Sequence, residues 1–408
     1  CSHPRYLTPV GITLYVTAYH GVNGLELWKS DGTEAGTVLV KNINPGSGFS
    51  VNYPRNLTVG GNTLFFTADD GVNGTELWKS DGTAAGTVVV KNIRPSSSSS
   101  YPRYLTPVGN TLFFTADNGA NGRELWKSDG TAAGTVVVKD IGLGSPYSPP
   151  RNLTAVGNTL FFTADDGVNG RELWKSDGTA AGTVLVKDIA PSFSWSDPRN
   201  LTAVGSTLYF TANDNVNGQE LWKSDGTEAG TVLVKNINPG SGFSGNYPRN
   251  LTVVGNTLFF TADDGVNGTE LWKSDGTAAG TILVGDIRPG SSGSNPQNLR
   301  VVGSTLYFTA DDGVNGRELW AVSGPAVPTL AIAATSANQT EGNSGSKAFT
   351  FTVTRAVNTT GTNNVNWAVT GTGTNPANAT DFVGGVLPSG VVSFAAGETS
   401  KVITVNVQ

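Results

Sequence analysis

The sequence predicts an all-β protein built of repeated four-stranded antiparallel sheets. Three observations predict it. The block ELWKSDGT recurs with its tryptophan at Trp28, Trp78, Trp126, Trp174, Trp222 and Trp272, and a degenerate seventh copy, ELWAVSGP, carries Trp320; the period is 48 or 50 residues. Each unit holds four short β-prone runs separated by turn residues. No stretch keeps a helical period over a dozen residues.

Residues 151–189 serve as the type unit. Its first run is RNLTAV, a short strand closed by the Gly-Asn turn. The second, TLFFTA, places large apolar groups at adjacent positions, so both faces of that strand are buried, as sheets stacked face to face require. DDGVNG then turns the chain, since Asp-Gly and Asn-Gly supply the φ > 0 geometry of tight hairpins. RELWKS is the third strand, DGTAAG the next turn, and TVLVKDI the fourth strand. Four-stranded units repeated four to eight times point to a β-propeller, and seven units predict a seven-bladed one over residues 1–324; a stacked solenoid is the competing architecture. Residues 220–280 nearly repeat residues 26–86, which reads as duplication of a four-unit block.

These residues resemble a known family. ELWKSDGTAAGT is similar to the ELWxxDGTxxGT repeat of large secreted bacterial proteins, and the resemblance implies a propeller-like fold without implying an activity. After Trp320 the composition shifts, and SGPAVP reads as a linker into a second domain at 325–408. Alternating runs such as AFTFTVTR and VITVNV predict a small antiparallel sandwich. TEGNSG, ATDF and FAAGETSKVITV resemble the Calx-beta domain of calcium-exchanger regulatory domains and bacterial surface proteins. The resemblance implies calcium held by carboxylates at one end of the sandwich, with Glu341 and Asp381 at matching acidic positions and Glu398 as a weaker one. It also implies an incomplete copy, because the family's final strands and acidic run are missing before Gln408.

Composition narrows the function. Only 14% of the 408 residues are charged, with 26 basic and 32 acidic side chains giving a net charge of −6, against about 25% charged residues in ordinary soluble proteins. That balance has no basic footprint, so nucleic acid is not an expected partner. One cysteine excludes an internal disulfide and thiolate zinc sites, and two histidines leave little for imidazole chemistry. No apolar run is long enough for a membrane span. The absence of methionine and a polar surface made of Thr, Ser, Asn and Gly suit an extracellular or cell-surface, bacterial setting. The chain begins at Cys1 rather than Met and reads as processed or as a fragment.

Three repeated clusters are site candidates. The hairpin exemplified by Asp165, Asp166, Asn169 and Glu172 reads as turn chemistry, with a calcium loop as the competing reading; its spacing differs from an EF-hand. The Asp of SDGT, as at Asp81, Asp129, Asp177, Asp225 and Asp275, reads as a turn acceptor, because a catalytic group is expected once and not six times. The third cluster opens the first strand of each unit: Arg5, Arg55, Arg103, Arg151, Arg199 and Arg249, with Gln297 in the seventh. If that strand lines the central channel, the guanidiniums ring one mouth and favour carboxylate, sulfate or phosphate ligands. The competing reading pairs each arginine with a neighbouring acid.

The expected function is that of a non-enzymatic, secreted or surface-displayed structural or adhesive protein. Its expected partners are other copies of itself, joined by strand complementation into a fibre or matrix, since TLAI after ELWAVSGPAVP reads both as a fourth strand of the seventh unit and as the first strand of the sandwich. The alternatives are a lectin-like propeller binding extracellular glycans, hinted at by Trp195 outside the repeat, and a polysaccharide-acting enzyme. Calcium is the one expected cofactor.

Overall fold

The computed structural model describes residues 3–45, 53–95, 97–142, 149–191, 195–239, 247–324, 329–336, 345–356, 359, 362–371 and 376–408. Six consecutive four-stranded antiparallel sheets follow one another, each with its strands in chain order. The fourth comprises Arg151–Val156, Thr159–Asp165, Arg171–Ser176 and Val184–Lys187. Its last strand ends earlier than TVLVKDI predicts, because the Ile189 amide turns away from the ladder to donate to the Glu172 carboxylate at 3.1 Å. A seventh sheet, Gln297–Val302, Thr305–Asp311 and Arg317–Ser323, has three strands among the described residues.

Cores form between sheets, as the paired apolar residues of TLFFTA require. Phe162, Leu160, Ala164 and Trp174 of the fourth sheet pack with Phe113, Leu125 and Val138 of the third. On its other face, Phe161, Leu173 and Val186 pack with Leu208, Phe210 and Trp222 of the fifth. The first and second sheets, and the second and third, repeat this arrangement. The first strands Arg5–Val10, Arg55–Gly60, Arg103–Val108, Arg151–Val156 and Arg199–Val204 lie beside one another in turn. Face-to-face sheets with neighbouring first strands are consistent with a β-propeller.

Polar repeats stitch the sheets. Asp81 Oδ1 accepts from the Thr83 amide and hydroxyl at 2.9 and 2.7 Å, and the Thr83 hydroxyl accepts from the Gly86 amide. A side chain at Gly86 would collide with that Asp81 carboxylate, which is why glycine recurs in this non-left-handed position. Lys29 Nζ donates to the Gly82 carbonyl and Lys41 Nζ to the Thr87 carbonyl of the following sheet, and Lys91, Lys139, Lys187 and Lys235 repeat the second link.

The chain divides into two compact units: Cys1–Thr252 with Leu258–Pro296 and Ala310–Arg317, and Val253–Thr257 with Gln297–Thr309 and Glu318–Gln408. Within the second, Thr329–Ser336 pairs with Lys347–Ala356, which pairs with Ser400–Val407. The segment containing TLAI therefore belongs to this sheet, and the seventh sheet lacks it as a fourth strand. Asn363–Ala368 pairs with Ser389–Phe394. Val353, Phe382, Val392, Phe394, Ile403 and Val405 draw the two tail sheets into one apolar cluster. No helix of the described residues is long and apolar enough to cross a membrane.

Candidate functional site: an arginine and tyrosine rim

Six of the seven first strands begin with arginine and the seventh with Gln297, and the next residue lies in the left-handed region: Asn56 at φ 55°, Asn152 at 55° and Asn200 at 56°, with Tyr6 at 54° and Tyr104 at 55° in the same position. Asparagine tolerates that region better than most side chains, which accounts for the recurring Arg-Asn pair. A register shift between Arg151 and Thr154 marks the resulting bulge, and the other first strands repeat it. Bulges of this kind re-aim side chains at the edge of a sheet.

The ring arginines meet aromatics as well as acids. Arg55 lies over the Tyr53 ring at 4.2 Å and Arg249 over the Tyr247 ring at 4.3 Å. Arg5 donates to the Tyr53 hydroxyl at 3.1 Å. Burial pushes the Tyr53 phenol up, but the Arg5 hydrogen bond and the neighbouring guanidiniums leave it below the ordinary tyrosine value. Arg199 forms an ion pair with Asp197, two residues before it in the same lead-in. A second set of arginines, Arg123 and Arg171, opens the third strands of the third and fourth sheets. Arg123 and Arg171 are held below the ordinary arginine range by burial and then by Arg103 and Arg151 respectively. These pairs concentrate positive charge on a chain whose net charge is −6.

One cavity of about 120 Å³ opens on this rim, between the second and third sheets. Tyr53, Arg55 and Asn56 line it from the lead-in and first strand of the second sheet, and Tyr101, Pro102 and Arg103 from those of the third. Thr67 and Thr75 complete it. The Tyr101 amide donates to the Thr75 carbonyl at 3.2 Å, which fixes one side.

The residues ahead of Pro-Arg and ahead of Glu-Leu-Trp, including Tyr53, Tyr101 and Thr75, escaped the sequence reading. Their signal is variation: across the copies these positions change while their neighbours repeat, as in Tyr53, Tyr101, Pro149 and Asp197, or Thr75, Arg123, Arg171 and Gln219. Trp195, the aromatic outside the repeat, is 55% exposed, and the Arg171 guanidinium lies 5.9 Å from its ring centre.

The acidic hairpins are occupied by their own backbone. Asp166 Oδ1 accepts from the Val168 and Asn169 amides and Oδ2 from the Asn169 side chain. Glu172 instead faces the linker to the next sheet, accepting from the Ser196 amide and hydroxyl at 3.0 and 2.5 Å. In the tail, Asp381 Oδ2 accepts from the Asn378 amide, while Glu398 accepts from the Ala395 amide and pairs with Lys401. Glu341 lies outside the described residues. Among the described residues no three Asp, Glu, His or Cys side chains group to hold a metal ion.

The sheets and the rim define a repeat-built all-β protein with a β-propeller arrangement. No protein-family model matches the chain, and no curated protein matches it. Among solved structures, a prolyl endopeptidase is similar at 14% identity and a TM-score of 0.46, over 88% of this chain and 55% of that one. A puromycin hydrolase is similar at 15% and 0.40, over 86% and 58%. An uncharacterized protein from Listeria monocytogenes is similar at 10% and 0.41, over 78% and 93%. The chain thus spans little more than half the length of the first two. At these identities and scores the likenesses add nothing to what the sheets and cores establish.

Proposed function

We propose that the protein is a secreted or surface-displayed, non-catalytic binding platform, a seven-bladed propeller with a Calx-beta-like tail, whose arginine rim engages acidic polysaccharide. The observation that carries the reading is the rim itself. Six arginines each precede a left-handed residue at the start of a first strand, three of them against tyrosines, so that one extended polyanion could meet cations in succession. Individual contacts at an exposed rim are weak, and repetition converts weak contacts into avidity. Guanidiniums suit carboxylates and sulfates through bidentate geometry. Near-identical sheets favour this multivalent use over a single asymmetric catalytic pocket. A glycan array tests the proposal. Uronic-acid and sulfated glycans should bind and their neutral counterparts should not; equal binding of both, or turnover of any polymer, would refute it.

A second reading, assembly of copies into a fibre or matrix, is favoured by the seventh sheet. It has three strands among the described residues. A sheet short of its fourth strand is what strand addition from another copy would use.

A further inference from the structure

The cavity between the second and third sheets differs from the rest of the rim in ways that point to a particular occupant. In the third and fourth sheets an arginine opens the third strand. Arg123 Nη1 donates to the Tyr101 carbonyl at 2.5 Å, and Arg171 Nη1 to the Pro149 carbonyl at 3.3 Å. Each of these carbonyls belongs to the residue preceding the Pro-Arg of its own sheet. The second sheet has Thr75 at this position, and the space an arginine would cross toward Tyr53 is left open; the sixth sheet matches it with Thr269, Tyr247 and Arg249, but there the following sheet brings Gln297 where the third brings Arg103. The cavity lies there.

Two of its polar atoms have no hydrogen-bond partner. Arg55 Nε and Thr75 Oγ1 are shielded from solvent and unsatisfied. A buried unpaired donor is costly, and an acceptor bound in the cavity would satisfy it. Arg103 brings a second guanidinium to the same cavity, with no acidic side chain among the lining residues. The chemistry therefore calls for an oxyanion.

The walls call for more than a bare ion. Tyr53 and Tyr101 offer aromatic surface, and Asn56 and Thr67 offer amide and hydroxyl groups. A volume of about 120 Å³ is several times the roughly 10–15 Å³ that one water needs. Aromatic side chains together with a few convergent polar groups are the ordinary lining of a site for a small polar ligand.

We propose that this cavity is a specific subsite for one carboxylate-bearing sugar residue, a uronic acid, with Arg55 and Arg103 on the carboxylate, the Thr75 hydroxyl on a ring substituent and the tyrosines against the sugar. This rests on the proposed polysaccharide-binding role and assigns the residue at which recognition is specific; the remaining arginines contribute charge alone.

The test is calorimetric titration of the full chain with D-glucuronate, with D-glucose and inorganic sulfate as comparison probes, alongside titration with polygalacturonate. Thr75→Arg installs the residue that the third and fourth sheets already carry, and Arg103→Gln installs the seventh unit's residue, so both variants follow substitutions the repeat tolerates. A circular-dichroism melt verifies each fold. Glucuronate should bind at least about tenfold more tightly than glucose or sulfate, and each variant should weaken it by about tenfold or more. Thr75→Arg should keep polygalacturonate binding through the unchanged ring. Sulfate binding as tight as glucuronate would reduce the cavity to a simple anion site and overturn the sugar assignment. Failure to bind glucuronate, or unchanged glucuronate binding in folded variants, would overturn the subsite while polygalacturonate binding upholds the wider reading. Loss of both ligands in the wild-type chain would overturn both.

Discussion

At the scale of single residues, the repeated polar groups sort by what they touch. The Glu of ELW was legible only as part of an acidic hairpin, because nothing local announces that its partners lie 17 and 24 residues downstream, as Ile189 and Ser196 do for Glu172. Burial outweighs these hydrogen bonds and pushes the Glu26, Glu124, Glu172 and Glu220 carboxyls up from 4.5 to about 7. A carboxyl with a raised native pKa binds more protons when folded than when unfolded, so its stabilisation is complete below 4.5 and is lost as pH rises toward about 7. The SDGT aspartates act oppositely. Hydrogen bonds from the Thr179 hydroxyl and amide hold Asp177 below 3.8, so its contribution is present above that value and fades as pH falls through the lowered one. Thermal melts should therefore peak near about pH 5 and decline toward both pH 3 and pH 8. Glu172→Gln, which mimics the protonated form, should narrow the decline between pH 5 and pH 8; an unchanged profile would show that burial of this carboxyl does not set the slope.

At the scale of elements, the sequence reading was accurate where the local pattern and the packing agree. TLFFTA has apolar neighbours on both faces, and the strands Thr159–Asp165 and Thr111–Asp117 bury both faces between adjacent sheets. Phe161→Ala should cost roughly 3–5 kcal/mol in denaturant unfolding; a loss below about 1 kcal/mol would place Phe161 outside a packed interface. A different constraint governs Gly182. Its backbone is not left-handed, but an added methyl would collide with Asp177, so Gly182→Ala should destabilise by about 1–3 kcal/mol. The same change at exposed Gly205, at φ +58° with no neighbouring atom, should act only through backbone strain. The segment containing TLAI was the ambiguous element. Its alternation suited either sheet, and long-range pairing with Lys347–Ala356 decided it. The proposed subsite was less legible still. It needs Thr75 where the next two sheets have Arg123 and Arg171, with Arg103 facing it, a juxtaposition that has meaning only once the sheets are stacked.

At the scale of the whole molecule, both proposals rest on the repeat, on its recurring first-strand arginines and on a seventh sheet with three strands among the described residues. If copies join through that sheet, sedimentation velocity should show species larger than the monomer growing with concentration; a strict monomer at high concentration would leave the rim as the sole interaction surface. The rim is the central claim, and its most direct test replaces Arg5, Arg55, Arg103, Arg151, Arg199 and Arg249 together by glutamine, the residue already present as Gln297. Binding of polygalacturonate to the full chain would be measured by titration calorimetry at low and at physiological salt. The account predicts saturable binding by the wild-type chain, weakened by salt as exposed charges are screened, and its loss in a six-glutamine chain that still melts cooperatively. Undiminished binding by that folded variant would contradict it.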